Sequence, residues 1–225
     1  MRYLSVLIIL VLFSCGDEKI IQLPEIKNAD ITEVLDVSPA HIFYDETQPD
    51  STLFNRKNLI STTNWLVNVD KRLTLKQAIP HLQYLQSKRR KASMHKNENA
   101  KNYFTCNNTS IKNLGFLEFT ELTYLNKEED FDLYIFKRKK INHLEINFFS
   151  KNQIIIKGIT PSPFYENTNI NNLENLLSSK TRRNPISVSC LFSRNLTFQL
   201  YITIKSKLSK LESENFIIDK NEFFY

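Results

Sequence analysis

Glycine is almost missing, with three in 225 residues. Loops that cradle phosphate present successive backbone N–H groups through glycine-rich turns, so nucleotide-binding loops of that kind are excluded. Histidine is sparse as well. His41, His81, His95 and His143 lie far apart, and none has a cysteine or second histidine at zinc-ligand spacing. No metal and no cofactor are expected, and each histidine reads as a surface or edge residue. The acidic run Glu128-Glu129-Asp130 reads as a solvated turn rather than a pair of glycosidase carboxylates. These absences make a non-catalytic protein the expected reading. Long apolar runs are also wanting. The run LSVLIILVLF from Leu4 to Phe13 rises ~1.5 Å per residue as a helix and covers about half of a ~30 Å hydrocarbon core.

That run is informative in its setting. Met1-Arg2-Tyr3 supplies one positive charge, the apolar stretch follows, and Ser14-Cys15 closes it before the charged Gly16-Asp17-Glu18-Lys19. Length and flanks fit a cleaved signal peptide better than a membrane span. Leu12-Phe13-Ser14-Cys15 resembles the lipobox of bacterial lipoproteins, in which a small residue precedes an acylated cysteine. The resemblance implies lipidation at Cys15 and a body carried on a membrane outside the cytoplasm, on the periplasmic or outer-membrane face of the cell envelope. The net charge of +6 admits nucleic acid, anionic lipid or cell-wall polymer as partners, and export argues against nucleic acid. The runs Lys88-Arg89-Arg90-Lys91 and Lys137-Arg138-Lys139-Lys140 read as solvated loops and strand ends.

Two cysteines remain. Cys106 and Cys190 are free to pair in an oxidising compartment, but Cys190 alternates with Val188 and Phe192 and reads as a small apolar core residue.

Residues 1–14 therefore read as signal peptide and 15–30 as a lipidated N-terminus and tether. A first α+β lobe is expected over 31–100, connecting strands over 101–140, and a second lobe over 141–225. In the first, Asn64 to Asp70 alternates with Trp65, Val67 and Val69 on one face, a half-buried strand. Thr74-Leu75-Lys76-Gln77 has the form of a capping box before a helix bearing Leu75, Ala78, Ile79, Leu82 and Leu85, with Pro80 bending its first turns. Ser87 to Lys101 is expected as loop. Phe116 to Leu125 alternates again. In the second lobe, Leu144–Phe149 and Gln153–Lys157 flank a turn, and Thr168 is a candidate cap for a helix carrying Leu173 and Leu177. Ile186–Ser193 is a strand, Leu196 to Leu211 is amphipathic, and Phe216-Ile217-Ile218 with Phe223-Phe224-Tyr225 closes the sheet.

The shift that takes Thr74 to Thr197 superposes the two strand–helix units. Trp65, Val67 and Val69 fall on Val188, Cys190 and Phe192; Leu73-Thr74-Leu75 falls on Leu196-Thr197-Phe198; Leu82 meets Lys205, a mismatch. An internal repeat is the expectation. The order hairpin, helix, Asn184-Pro185, apolar strand, the turn Arg194-Asn195, helix, strand resembles the periplasmic domain of the ExbD/TolR family, as does the stretch Ile20-Ile21-Gln22-Leu23-Pro24. The resemblance covers Asn142 to Tyr225 and, more loosely, Glu33 to Gln86. It implies an ExbD/TolR-like α+β fold of two small sheet-plus-helix lobes that binds partners. The membrane aspartate of that family has no counterpart, because Leu4 to Phe13 holds no ionisable residue.

The expected function is that of a lipid-anchored envelope protein binding another envelope protein or the cell-wall polymer, with Phe216, Ile217 and Ile218 as candidate docking edge. The alternative is an envelope hydrolase or carbohydrate-binding lipoprotein with an unrecognised site.

Overall fold

The computed structural model describes residues 19–91, 97–128, 131, 134, 142–160, 163–180 and 185–225. The signal peptide and Cys15 lie outside these residues, as do His95, the basic run at 137–140 and nearly all of the apolar run at 132–136.

Among the described residues the chain forms two mixed six-stranded sheets with three helices, the two-lobed α+β layout anticipated from periodicity. In the first lobe, β1 (Glu25–Ile26), β2 (Val37–Tyr44), β3 (Thr52–Asn55), β4 (Asn64–Val69), β5 (Asn102–Asn108) and β6 (Asn113–Glu118) surround α1 (Leu75–Lys91). The second holds β7 (Thr123–Asn126), β8 (His143–Phe148), β9 (Ile154–Thr160), β10 (Phe164–Thr168), α2 (Leu173–Lys180), β11 (Ile186–Phe192), α3 (Phe198–Ser209) and β12 (Phe216–Phe224). The stretch expected as connecting strands divides. β5 and β6 complete the first sheet, and β7 crosses to the far edge of the second.

The central strands follow one plan in both lobes. The orders β3-β2-β4-β5 and β9-β8-β11-β12 each comprise an antiparallel hairpin followed by two parallel steps. Register agrees too. Val37 pairs with Asn64 and Ile42 with Val69, as His143 pairs with Ser187 and Phe148 with Phe192. A parallel step needs a crossover long enough to hold a helix, and α1 and α3 supply it from amphipathic sequence. Leu75, Ala78, Leu82 and Leu85 of α1, and Phe198, Tyr201, Ile202 and Leu208 of α3, are buried against Trp65, Val67, Val69, Val188, Cys190 and Phe192. Both caps act as their residue types require. Thr197 Oγ1 accepts from Leu200 N at 3.3 Å, and Gln77 Oε1 turns back to Thr74 N at 2.8 Å.

The lobes meet where the two helices begin. Thr74 and Thr197 form an isolated antiparallel bridge. Leu75 N donates to Leu196 O at 2.8 Å and Phe198 N to Leu73 O at 2.7 Å, flanked by Lys76 N to Arg194 O at 2.8 Å and Gln199 N to Lys71 O at 3.2 Å. The repeat shift exchanges the members of each pair of bonds, so the seam has a local pseudo-twofold axis. These N–H groups belong to first turns, where no intrahelical carbonyl is in reach, and each helix start is satisfied by the turn preceding the other.

Several sequence expectations are corrected. The stretch from Ser87 was expected as loop, but α1 continues through Pro80 without interruption to Lys91, so the basic run is its last turn. Phe116 to Leu125 is two strands rather than one, broken at Phe119–Leu122 where the chain changes sheet. Thr168 ends β10, and Asn169 Oδ1 instead accepts from Asn171 N and Asn172 N ahead of α2. His143, expected near the surface, is buried at the start of β8. Cys106 and Cys190 are both free and buried. Among the described residues no helix is long and apolar enough to cross a membrane.

The shared seam makes one cooperative unit of both lobes. Leu75→Ala and Phe198→Ala should each cost ~2–5 kcal/mol, and urea should unfold the chain in one transition reported alike by far-ultraviolet circular dichroism and tyrosine fluorescence. Two separate transitions would count against a shared seam.

Candidate docking site at the seam between the lobes

The expected docking residues lie on β12, which begins as a half-covered strand. β11 pairs along Phe216–Ile218 and again along Glu222–Phe224, with a bulge between. On the other flank β7 pairs only with Asn221–Phe224. Along a strand, backbone groups point to alternate flanks. Asn215 O accepts from Ile186 N of β11, and both backbone groups of Phe216 bond Ser213. Ile217 therefore faces β11 through its backbone, and Ile218 faces the open flank. Side chains alternate independently: Phe216 and Ile218 are buried, and Ile217 is 52% exposed.

The open flank borders a cavity of about 100 Å³ between the lobes. Phe104, Leu117, Phe119 and Leu122 of the first lobe line it, facing Lys205 and Ile218 of the second. Phe104 stacks on Phe119 at 3.9 Å between ring centroids and meets Phe198 and Tyr201 edge-on at 5.3 and 6.2 Å, so aromatic packing fixes the lobes beside the cavity. The crossing strand is clamped from the first lobe. Gln83 Nε2 donates to Tyr124 O at 2.9 Å, Gln86 Nε2 to Leu122 O at 2.7 Å and Arg90 Nη2 to Leu122 O at 3.0 Å. These bonds occupy carbonyls that β7 would otherwise offer to an added strand.

Beside the cavity lies a buried ionic cluster that sequence reasoning did not find. Glu222 is fully buried. Its Oε1 accepts from Lys205 Nζ at 2.5 Å and its Oε2 from the Tyr201 hydroxyl at 2.7 Å, with the Tyr124 hydroxyl 3.5 Å from that of Tyr201. The trace it left in the sequence was the mismatch of Lys205 with Leu82. An ammonium can occupy an apolar helix position because a carboxylate stands opposite on β12. Burial alone would lower the Lys205 pKa, but Glu222 holds it above its usual value. Burial, with Glu222 adding to it, drives Tyr201 and Tyr124 upward. Burial also pushes the thiols of Cys190 and Cys106 up to about 12. At neutral pH these groups keep their protons, which suits structural pairing and leaves no thiolate nucleophile. Asp219, on the cavity wall, is raised by burial. Among the described residues no three His, Cys, Asp or Glu side chains gather as metal ligands.

The N-terminal segment is bolted along the same seam. Lys71 N donates to Gln22 O at 2.8 Å and Asn107 N to Pro24 O at 2.8 Å, and Pro24 and Ile26 are buried. From the second lobe, Gln199 bonds both backbone groups of Glu25, at 2.8 and 3.0 Å. The expected tether is a docked strand from Gln22 onward. Two carboxylates hold its start. Asp45 pairs with Lys19, and Asp70 accepts from Gln22 N at 3.1 Å and from the Arg72 guanidinium. The hydrogen bond from Lys19, with those from Thr47, holds Asp45 down to about 2. Burial would raise Asp70, but its bonds to Arg72 and Gln22 outweigh that and hold it below the usual value.

Comparison with family models, with curated proteins and with solved structures returns no match to this chain.

Glu222→Ala would strand the Lys205 ammonium in a largely buried position and should cost ~3–5 kcal/mol in urea denaturation. A cost under about 1 kcal/mol would mean that water reaches the ammonium. Because Asp45 and Asp70 titrate lower in the folded protein, the stability they add is full above the unfolded carboxyl value near 3.8 and is lost as pH falls toward 2. Protection of the Gln22 and Lys71 amides, measured relative to their intrinsic exchange rates, should therefore fall between about pH 4 and pH 2, ahead of global unfolding. Simultaneous loss of all protection would contradict local release.

Proposed function

We propose that the chain is a lipid-anchored, non-catalytic docking protein of a bacterial cell envelope, assembled from two copies of one ExbD/TolR-like unit. The observation that carries docking is the half-covered start of β12, where the outward-facing Ile218 backbone borders a cleft lined by apolar and charged side chains and Ile217 is exposed on the other face of the strand. An open strand flank offers N–H and C=O groups at fixed spacing to an extended segment of a partner protein, with an adjoining apolar recess for a side chain. Catalysis has less to support it. Tyr124, Tyr201 and Lys205 hold their protons near neutral pH and are spent on one another and on Glu222. Duplication is supported by the common strand order, the common register and the exchange of seam bonds under the repeat shift.

Anchoring rests on the lipobox-like segment ending at Cys15, and the docked strand gives it a mechanical consequence. Six residues separate Cys15 from Gln22, seven Cα steps with a reach of at most ~25 Å when extended. A lipid there would hold the body close to the bilayer and pull on the seam between the lobes.

Cys15→Ser should abolish palmitate incorporation and move the protein from the detergent to the aqueous phase; equal labelling of the variant would overturn the anchor. For docking, a photoreactive residue at Ile217 in living cells should give a discrete protein adduct, weakened by Ile218→Pro in a second chain that still folds by circular dichroism. Position Leu35, which is more open to solvent than Ile217, should give none. Equal adducts from both positions would overturn the docking edge.

A further inference from the structure

At the C-terminal end of α1, far from the cleft discussed above, a buried cation lacks a countercharge among the described residues. Arg89 is 6% exposed. Its Nε and Nη2 donate to Asn102 Oδ1 at 3.1 and 3.0 Å, Nη1 to Ser61 O at 2.9 Å and Nη2 to Thr63 O at 3.0 Å. Every acceptor is neutral, and among the described residues no carboxylate forms an ion pair with it. Burial holds its pKa down to about 10 with no opposing charge nearby, so it remains a cation at neutral pH. Buried charges are ordinarily paired. The end of α1 supplies roughly half a negative charge, which compensates in part. Four of the five guanidinium N–H groups are used, leaving one on Nη1.

The surroundings add positive charge and space. Arg89 lies flat over the single tryptophan, Trp65, 3.8 Å from its ring centroid, and Trp65 Nε1 is itself fixed to Ile60 O at 2.7 Å. A cleft of about 310 Å³ opens beside them, lined by Ser61, Trp65, Lys88, Arg89 and Lys91. Lys88 and Lys91 are one turn apart on the same helix face, both exposed, with no ion pair among the described residues. Three cations thus border one recess above the buried indole of Trp65, and the central charge is held rigidly by packing. That volume fits the lower range of small-ligand sites.

We propose that this cleft binds an oxyanion, a carboxylate or phosphate group on a small organic body, with Lys88, Arg89 and Lys91 meeting its charge and the aliphatic stems of the two lysines its apolar part. The geometry favours a charged head because an entering oxyanion would gain an immobile, poorly hydrated guanidinium without having to order it. The lysine stems beside the charge favour an attached apolar group over a bare ion. The site rests on the first lobe alone and stands apart from the docking and anchoring readings. Along α1 it lies ~24 Å from the helix start where Gln22 is docked, so the two ends can be engaged together.

Trp65 gives one indole N–H signal in nitrogen-edited NMR, a probe built into the cleft wall. Phosphate, acetate and benzoate should be titrated into the intact protein at constant ionic strength, with chloride as the balancing salt. The expected result is a saturable shift of the indole signal with at least one oxyanion, tighter for benzoate than for acetate. Lys88→Ala/Lys91→Ala removes only exposed side chains and should weaken the response at least tenfold while leaving circular dichroism unchanged. A linear response, one equal to that of chloride, or one that survives the double variant would overturn the site. A response to phosphatidylglycerol vesicles with none to free anions would also overturn it, assigning the basic helix end to a membrane surface.

Discussion

Of the helices in the two-lobed body, α1 and α3 each begin on the other lobe. The first-turn N–H groups of α1 and α3 have no carbonyl within their own helices, and the bridge at Thr74 and Thr197 satisfies them reciprocally. Opening the seam would expose four backbone bonds at once together with the ends of two amphipathic helices. That constraint explains why the neighbouring segments converge there. Gln22–Ile26 lies along the turn at Lys71, Gln199 reaches across to Glu25, and Tyr225 O accepts from Arg194 N in the place that Gln22 O takes at Lys71. The segment leading in from the N-terminus and the last residue of the chain thus occupy equivalent positions around the pseudo-twofold axis.

Departures from the repeat carry more than the matches. β12 bulges between Ile218 and Glu222, while β5 leaves β4 after three paired residues and takes β1 as its next neighbour. The bulge permits β7 to cover only one half of β12 and leaves the other half bordering the interlobe cavity. Lys205 and Glu222 belong to the same departure. The first lobe has Leu82 in the core, and the second has a buried ion pair closed by two tyrosines beside the strand from the other lobe. A buried pair of this kind adds less to stability than equal apolar packing, but it makes wrong alignments costly, since a displaced Lys205 or Glu222 would be left as an unpaired buried charge.

The basic helix end shows how one run divides its labour. Arg89 and Arg90 turn inward to backbone carbonyls of the loop before β4 and of the crossing before β7, while Lys88 and Lys91 remain in water. The planar guanidinium reaches several acceptors in fixed directions, which suits it to pinning loops; an ammonium on a flexible stem suits a solvated rim. Both behaviours follow from residue type once the fold has set which way each position faces.

The sequence by itself determined the elements whose cause is local. Alternation in Asn64–Val69 and Ile186–Phe192 and the apolar phases of α1 and α3 gave strands and helices, because periods of two and 3.6 mark the buried face. Comparing the two Leu-Thr turns brought together residues that do touch, Thr74 and Thr197. Tertiary structure alone decided what depends on neighbours distant in the chain. The end of α1 was illegible because the acceptors that draw Arg89 inward, Ser61, Thr63 and Asn102, lie far from it in sequence. Burial of His143 depends on its position at the start of β8, beside Ser187 of β11. The partner of Lys205 was set by strand order, and the open half of β12 by where β7 happens to stop. A buried charge, a cavity and a free strand flank are properties of pairs of segments, and no single stretch of sequence encodes its distance to another.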